Sequence, residues 1–509
     1  MANPFKQLAG DTAIYGLSTI LARIINFFLV PLYTRILSKT NYGIVTEFMA
    51  YIAVLQVVLT LGLETGCFRF ASKDGIDKEK VFSNAFMTVF LFSALFCVLM
   101  IAFATPLANA MGYAGYENCM IYMGGTLLMD CSTAIIFARL RYEHKAMKFA
   151  LIKCAKIFTE TGSNLVFFLL MPRYFAAHPD NWLLRFISPT PDFSYVIFAI
   201  FVSSIVCTLL LIPDIFKLKF KFDRSVWKPL LLYSLPLMVA GLPGILNDFM
   251  DRILMRYCNS NPATWRADLG VYQAGVKIAV IMSLFIQMFR YAAEPFFFQR
   301  QKDQDYKQMY AKVMDYFVEF CMFIFLGVTL YIDIIGLLLG RDFRVGLSIA
   351  PIMLMAYVVL GMNFNVSMWY KLSGKTNYAI WITLAGMLVT LAVNLVFMPV
   401  YSYHAAAWAH LASYSVMMGL SIWLGNKYFP IPYHWHKIIV TIAVGLMFYG
   451  TSTFLPEMRL RWKLLVHTAL LASYVYVWFK FENITFARIK SFFKPAKAAK
   501  SNQDEIENS

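Results

Sequence analysis

Charge is scarce in this sequence. Of its 509 residues only 15% are Asp, Glu, Lys or Arg, where a soluble globular chain carries about 25%. Acidic residues are the scarcest, 29 against 45 basic ones, while 60% of the chain is hydrophobic. A soluble enzyme and a disordered scaffold are both excluded, because the first could not hide this much apolar surface and the second would have to leave it in water. Catalytic signatures are missing too. No nucleophile elbow, H-E-x-x-H or dinucleotide fingerprint occurs. Ser373-Gly374-Lys375-Thr376 looks like the end of a phosphate-binding loop, but the glycine that loop needs at 369 is Trp369. His434 and His436 have no cysteine or carboxylate cluster beside them in sequence, so no metal site is expected. The eight cysteines form no C-x-x-C pair and most lie in apolar runs, so they read as small buried hydrophobes. The N-terminus lacks a basic region followed by a clean apolar core and small-residue cleavage site, so the first apolar run is expected to serve as its own insertion signal. No cofactor and no nucleic acid are expected.

What the sequence has in quantity is apolar runs. About 20 apolar residues cross a bilayer, and fourteen such segments follow one another between residues 13 and 480. Each is too long for a strand and none alternates with period two, so they are read as helices. The expected fold is an all-α polytopic membrane protein of about fourteen transmembrane helices. With the N-terminus inside, about 29 Lys and Arg fall inside, 11 outside and 5 within spans, which together make up the 45. That bias puts both termini in the cytoplasm. A faint repeat lays Gly43 on Gly270, each opening an out-to-in span, at an offset of 227. It suggests two six-helix lobes, residues 1–226 and 227–430, followed by two further helices in 431–482. Repeated halves with Pro- or Gly-interrupted helices are a transporter pattern. Residues 483–509 read as a basic, then acidic cytoplasmic tail.

Charges inside the spans are costly, about 2.5–3.5 kcal/mol each at a helix centre, so they must face one another or a watery interior. The basic ones are Arg23, Lys156, Arg252, Lys277 and Arg290; the acidic ones are Glu47, Asp130, Glu160, Asp248, Asp251 and Glu294. Lys156 with Glu160, Asp248 with Arg252, and Arg290 with Glu294 are spaced i,i+4, which suggests local neutralisation. Arg23 and Lys277 have no acid at helical spacing. They are expected to line a cavity for an anionic ligand. Asp130 also lacks a basic neighbour on its own helix, which makes it a candidate for a coupling ion or for pairing with a cavity cation.

The segments LARIINFFLVPLYTRILSKTNYGIVTEF (21–48), LGLETGCFRF (61–70), ARLRYEHKAMKFALIK (138–153), YSLPLMVAGLPGILNDFMDRILMRY (233–257), FRYAAEPFFFQ (289–299), WYKLSGKT (369–376) and AVNLVFMPVYSYHAAAWAHLASY (392–414) together resemble bacterial polysaccharide transporters. These are the O-antigen-type lipid-linked oligosaccharide flippases of the multidrug/oligosaccharidyl-lipid/polysaccharide exporter superfamily. The resemblance covers most of residues 10–430. It implies two six-helix lobes around a central, often cationic cavity, with first and seventh helices that bend. Pro31 and Pro243 are the matching bend positions. Two stretches depart from the family pattern: Tyr403-His404 replaces a Gly-rich step, and Glu160-Thr161 stands where relatives are amide-rich or apolar.

The expected function is translocation of a polyprenyl-pyrophosphate-linked oligosaccharide across the bacterial inner membrane for surface polysaccharide synthesis. Arg23, Arg252 and Lys277 would hold the headgroup, and Asp130, Asp248 or Asp251 would bind a coupling proton or sodium ion. Membrane lipids, and a polysaccharide polymerase with other assembly components, are the expected partners. Within the same superfamily, a peptidoglycan-precursor flippase and a multidrug/cation antiporter are the alternatives. Uncompensated cations argue against the antiporter, whose cationic substrates call for acids. A membrane polymerase or ligase would carry large Arg-rich outside loops, whereas the longest one here, 176–192, holds only Arg185. A non-transporting scaffold would be favoured by an uncharged helix interior, which this chain lacks.

Overall fold

A computed structural model describes residues 4–73, 75–181, 190–300, 304–456 and 458–482. The expected tail, 483–509, lies outside them. Among the described residues every regular element is a helix, as a backbone in lipid requires: each N–H and C=O must find its partner within its own segment. In chain order the α-helices are α1 (Pro4–Phe28), α2 (Val30–Ile36), α3 (Lys39–Leu59), α4 (Leu63–Ala71), α5 (Lys78–Ala102), α6 (Ala104–Ala110), α7 (Glu117–Tyr142), α8 (Ala146–Leu165) and α9 (Met171–Ala177). They continue with α10 (Phe193–Ile215), α11 (Arg224–Cys258), α12 (Trp265–Arg300), α13 (Tyr306–Leu330), α14 (Ile332–Ile335), α15 (Ala350–Val366), α16 (Met368–Leu372), α17 (Asn377–Tyr401), α18 (Tyr403–Tyr428), α19 (Trp435–Thr453) and α20 (Leu460–Phe481). Eleven helical segments are long and apolar enough to cross a membrane. The three remaining expected spans, near 150–175, 403–425 and 436–455, fall on the helical stretches 146–177, 403–428 and 435–453, which are less apolar. The first is diluted by Lys148, Lys153, Lys156 and Glu160, and the second by His, Ser and Tyr. The fold is therefore all-α and multi-pass, with eleven crossings supported by length and composition.

Sequence chemistry sets where the helices begin and break. Ser38, Asp77, Asp192 and Asp223 each accept a backbone N–H of the first turn that follows, at 2.8–3.1 Å, satisfying donors that a helix start leaves open. The first span breaks at Leu29, and Pro31 sits in the opening turn of α2, where its missing N–H costs nothing. By contrast, α11 runs unbroken through Pro229, Pro236 and Pro243. Between α3 and α4 the chain turns at Gly62, φ +67°, where a Cβ would lie 2.5 Å from the Ser234 carbonyl oxygen. Both the left-handed backbone and the close approach of α11 demand glycine there.

The chain divides into two compact units. The larger comprises 1–314 and 333–433. In it α3 packs along α11 and α12, and α1 also lies against α12. The closest approach is between Gly43 and Gly270. A Cβ on Gly43 would stand 1.8 Å from the Arg266 carbonyl oxygen, and one on Gly270 would stand 2.1 Å from that of Lys39. Next to this point Arg35 donates to the Leu337 carbonyl at 3.1 Å, and Arg266 to those of Met111 and Gly112 at 3.3 Å. The smaller unit, 315–332 with 434–509, is organised around Lys437. Its ammonium bridges Asp315 at 3.5 Å, Glu319 at 3.3 Å and Glu482. His434 meets Asp315 at 2.7 Å and the Trp478 indole donates to Glu319 at 2.5 Å.

Candidate functional site

On α11 the residues Asn247, Asp248, Asp251 and Arg252 recur at i,i+4 spacing, which places them on one face. That face meets α12, α17 and α18. Asn247 accepts the hydroxyls of Thr390 (2.5 Å) and Ser413 (2.8 Å). Asp251 is fully buried and carries two bases. One oxygen meets an Arg252 guanidinium nitrogen at 3.1 Å and the other the His410 Nε2 at 3.3 Å. Arg252 also donates to the Asp248 carbonyl (2.5 Å) and to Gln273 Oε1 (3.3 Å), and lies over the Phe249 ring. The Asp248 carboxylate is exposed and accepts the Tyr414 hydroxyl at 3.1 Å.

A second set of charges approaches from α1, α7, α8 and α12. Lys277 on α12 is half-buried and lies within electrostatic range of Arg252, of Glu160 on α8 and of Arg23 on α1. Arg23 is exposed. Neither Arg23 nor Lys277 has an ion pair among the described residues, whereas the three cations with an acid at i,i+4, Lys156, Arg252 and Arg290, each hold a carboxylate. Lys156 binds Asp130 of α7 at 2.5 Å, so Asp130 is paired and Glu160 is left without a salt bridge among the described residues. Arg290 reaches Glu294 at 3.5 Å, joined by Lys371 at 2.6 Å. Glu47 is buried against Arg256 (2.9 Å) and the Tyr113 hydroxyl.

Two of the three local pairings expected from spacing are thus settled differently. Glu160 yields Lys156 to Asp130, and Asp248 yields the Arg252 head to Asp251, keeping only a carbonyl contact. Only Arg290–Glu294 forms as spaced. The cations expected to act together, Arg23, Arg252 and Lys277, do share one neighbourhood, with Arg252 already holding a carboxylate. Sequence reasoning missed His410 and Tyr414. The one available signal was their i,i+4 spacing on a small-residue helix, AAAWAHLASYS (405–415). Chemically, the site offers two cations without an ion pair among the described residues and a third basic group within electrostatic reach, a set whose chemistry suits a group with several anionic oxygens. All eight cysteines are free thiols.

Comparison with known proteins agrees with this architecture. A Haemophilus influenzae protein, protein 1 of the Lsg locus, is 20% identical over 307 residues, covering 58% of this chain and 67% of that one. Among solved structures, the lipid II flippase MurJ in an inward closed conformation superimposes with a TM-score of 0.70 at 12% identity, over 92% of this chain and 98% of that one. An inward-facing multidrug resistance MATE family transporter of the MOP superfamily gives 0.60 at 12% identity, over 85% and 96%. At these identities the likeness is one of fold. The family model described as polysaccharide biosynthesis protein matches residues 8–301, more than half of the sequence, and the chain belongs to that family.

Proposed function

We propose that this protein flips a polyprenyl-pyrophosphate-linked oligosaccharide across the bacterial inner membrane by alternating access, for assembly of a surface polysaccharide. The observation that carries this reading is the pair Arg23 and Lys277, without ion pairs beside Arg252 in a multi-pass member of the polysaccharide biosynthesis family. Burying a sugar hydroxyl unpaired costs several kcal/mol, on the order of 4–8 in a medium that offers no hydrogen bond, and an ionised phosphate far more. Arg and Lys replace the water around the phosphates, while the polyprenyl tail stays in lipid. In this reading the halves 1–226 and 227–430 rock about the Gly43–Gly270 contact, with Pro31 and Pro243 as the flexing positions. Both termini lie in the cytoplasm. Outward passage of an anion is favoured by an inside-negative potential, about 2.3 kcal/mol per charge per 100 mV. A proton or sodium ion would couple at Asp248, the exposed carboxylate, ahead of Asp251 and Asp130, which already hold bases. A polymerase and other assembly components would receive the product.

In a strain lacking the protein, lipid-linked oligosaccharide is expected to accumulate on the inner leaflet. The double variant Arg23→Ala/Lys277→Ala should lower export at least tenfold at unchanged protein level, and Lys277→Arg should retain most of it. Full export by the double variant at native expression would remove the cationic pair from the mechanism. Cell lysis on depletion, with surface glycan intact, would favour a peptidoglycan precursor as the cargo instead.

A further inference from the structure

An apolar crevice of about 510 Å³ lies between α5, α7 and α10, lined among others by Phe86, Phe90, Leu91, Met129, Ile215 and Phe220. None of the charged residues of the candidate site borders it. Its two lining hydroxyls are spent on their own helices: Ser132 donates to the Leu128 carbonyl at 2.6 Å and Thr208 to that of Ser204 at 2.8 Å. A peptide would therefore find no partners for its backbone groups, whereas a hydrocarbon chain needs none. Leu91 lies 13 residues past Lys78 on α5, about 20 Å at 1.5 Å per residue. The lining on α5, Phe86 to Leu91, thus lies about 12 to 20 Å from the helix start, within the depth of a hydrocarbon layer about 30 Å thick.

Phe220 on its wall belongs to the segment 216–223, FKLKFKFD, which alternates lysine with apolar residues. Phe216, Phe220 and Phe222 are exposed. Lys219 and Lys221 have no ion pair among the described residues, and Lys217 stands 3.7 Å from Asp214. The segment is held in place. Asp223 donates its backbone N–H to Asn84 at 3.0 Å and accepts from the same side chain at 3.3 Å, and its carboxylate meets Lys80 at 2.8 Å. Lys80 and Ser225 together hold the Asp223 carboxyl well below the usual carboxylate range, so it remains ionised and spent on its partners. Phe220 adopts φ +27°, a conformation rare for a non-glycine residue, and its ring meets Phe86 edge-on at 6.1 Å. Such backbone is kept where its surroundings impose it, and here it aims an aromatic ring into the opening.

We infer that the crevice and this segment form a binding site for an anionic phospholipid, with an acyl chain in the crevice and the phosphate on Lys219 and Lys221. The aromatic rings sit at the headgroup boundary as interfacial anchors, and the basic segment attracts anionic lipid. That the lipid belongs to the cytoplasmic leaflet rests on the orientation proposed above; the site itself does not.

The test is equilibrium binding of fluorescent dioleoylphosphatidylglycerol to the full chain in neutral detergent. One saturable site is expected, with dioleoylphosphatidylcholine competing at least tenfold less well and glycerol phosphate, which has no chains, not competing. Lys219→Gln/Lys221→Gln should weaken binding at least tenfold and flatten its salt dependence. Leu91→Trp, which fills the crevice and leaves the lysines, should weaken it likewise; if that variant misfolds, the lysine pair and the competition series still decide. Equal affinity for the two phospholipids, or wild-type affinity in the lysine variant, would overturn the inference. Undecaprenyl phosphate binding more tightly than phosphatidylglycerol would overturn it as well, by assigning the crevice to the carrier lipid. Loss of the site is independent of the Arg23/Lys277 phenotype, so failure here leaves the transport proposal standing.

Discussion

Asp251→Ala is expected to remove most of the folded protein from the membrane. The carboxylate is fully buried between Arg252, 3.1 Å away, and His410, 3.3 Å away. Without it the guanidinium keeps hydrogen bonds to the Asp248 carbonyl and Gln273 and its place over the Phe249 ring, but no carboxylate at ion-pair distance among the described residues. Breaking a buried pair in this way costs about 3–5 kcal/mol, a large part of the roughly 5–15 kcal/mol that holds a typical fold. The double variant Asp251→Ala/Arg252→Met removes both charges and should recover much of the loss, since an apolar replacement of a buried pair is often neutral. His410→Asn should cost less, about 1–2 kcal/mol, because Arg252 still compensates Asp251. Fluorescence-detected size exclusion and thermal midpoints in detergent measure all three. A wild-type midpoint for the Asp251 single variant would mean that the pair does not compensate as the geometry implies.

The second large effect is expected at the helix crossing of α3 and α12. Replacing Gly43 by alanine sets a methyl group 1.8 Å from the Arg266 carbonyl oxygen, where a carbon and an oxygen normally stand about 3.3–3.6 Å apart. The obstructing atoms are backbone, so no side chain can swing aside and the helices must separate. Overpacking of this kind costs about 1–3 kcal/mol. Gly270→Ala, 2.1 Å from the Lys39 carbonyl oxygen, should behave alike, and the double variant should not be additive because both relieve strain by the same separation. Gly419→Ala is the control. A Cβ there meets nothing within 4 Å, so removing a flexible helical glycine should be neutral or stabilising by about 0.5–1 kcal/mol. Equal midpoints for Gly43→Ala and Gly419→Ala would sink the argument.

The intramembrane ionisable residues were visible in the sequence because lipid makes them rare, and each candidate stands on the helix assigned to it. Their partners were not visible. Spacing at i,i+4 offered Lys156 to Glu160 and Arg252 to Asp248, yet Lys156 takes Asp130 from another helix and Arg252 takes Asp251 beside it. Helical spacing reports only neighbours on the same cylinder, whereas a poorly solvated charge takes the nearest carboxylate from any direction. His410 carried even less signal, since a single histidine among alanines reads as one more packed side chain. The weak repeat did align Gly43 with Gly270, but alignment carries no information that the two touch each other.

Hydropathy and charge bias alone sufficed to make this an all-helical, multi-pass membrane protein, because the thickness of a bilayer and the cost of an unsatisfied backbone leave few other solutions. The motifs along the chain likewise carried its family resemblance. The packed molecule alone decided which cations remain without counter-charge, which glycines face each other, and where an apolar crevice meets a basic rim. These depend on residues far apart in the sequence meeting within a few ångströms, and periodicity along one helix does not encode such meetings.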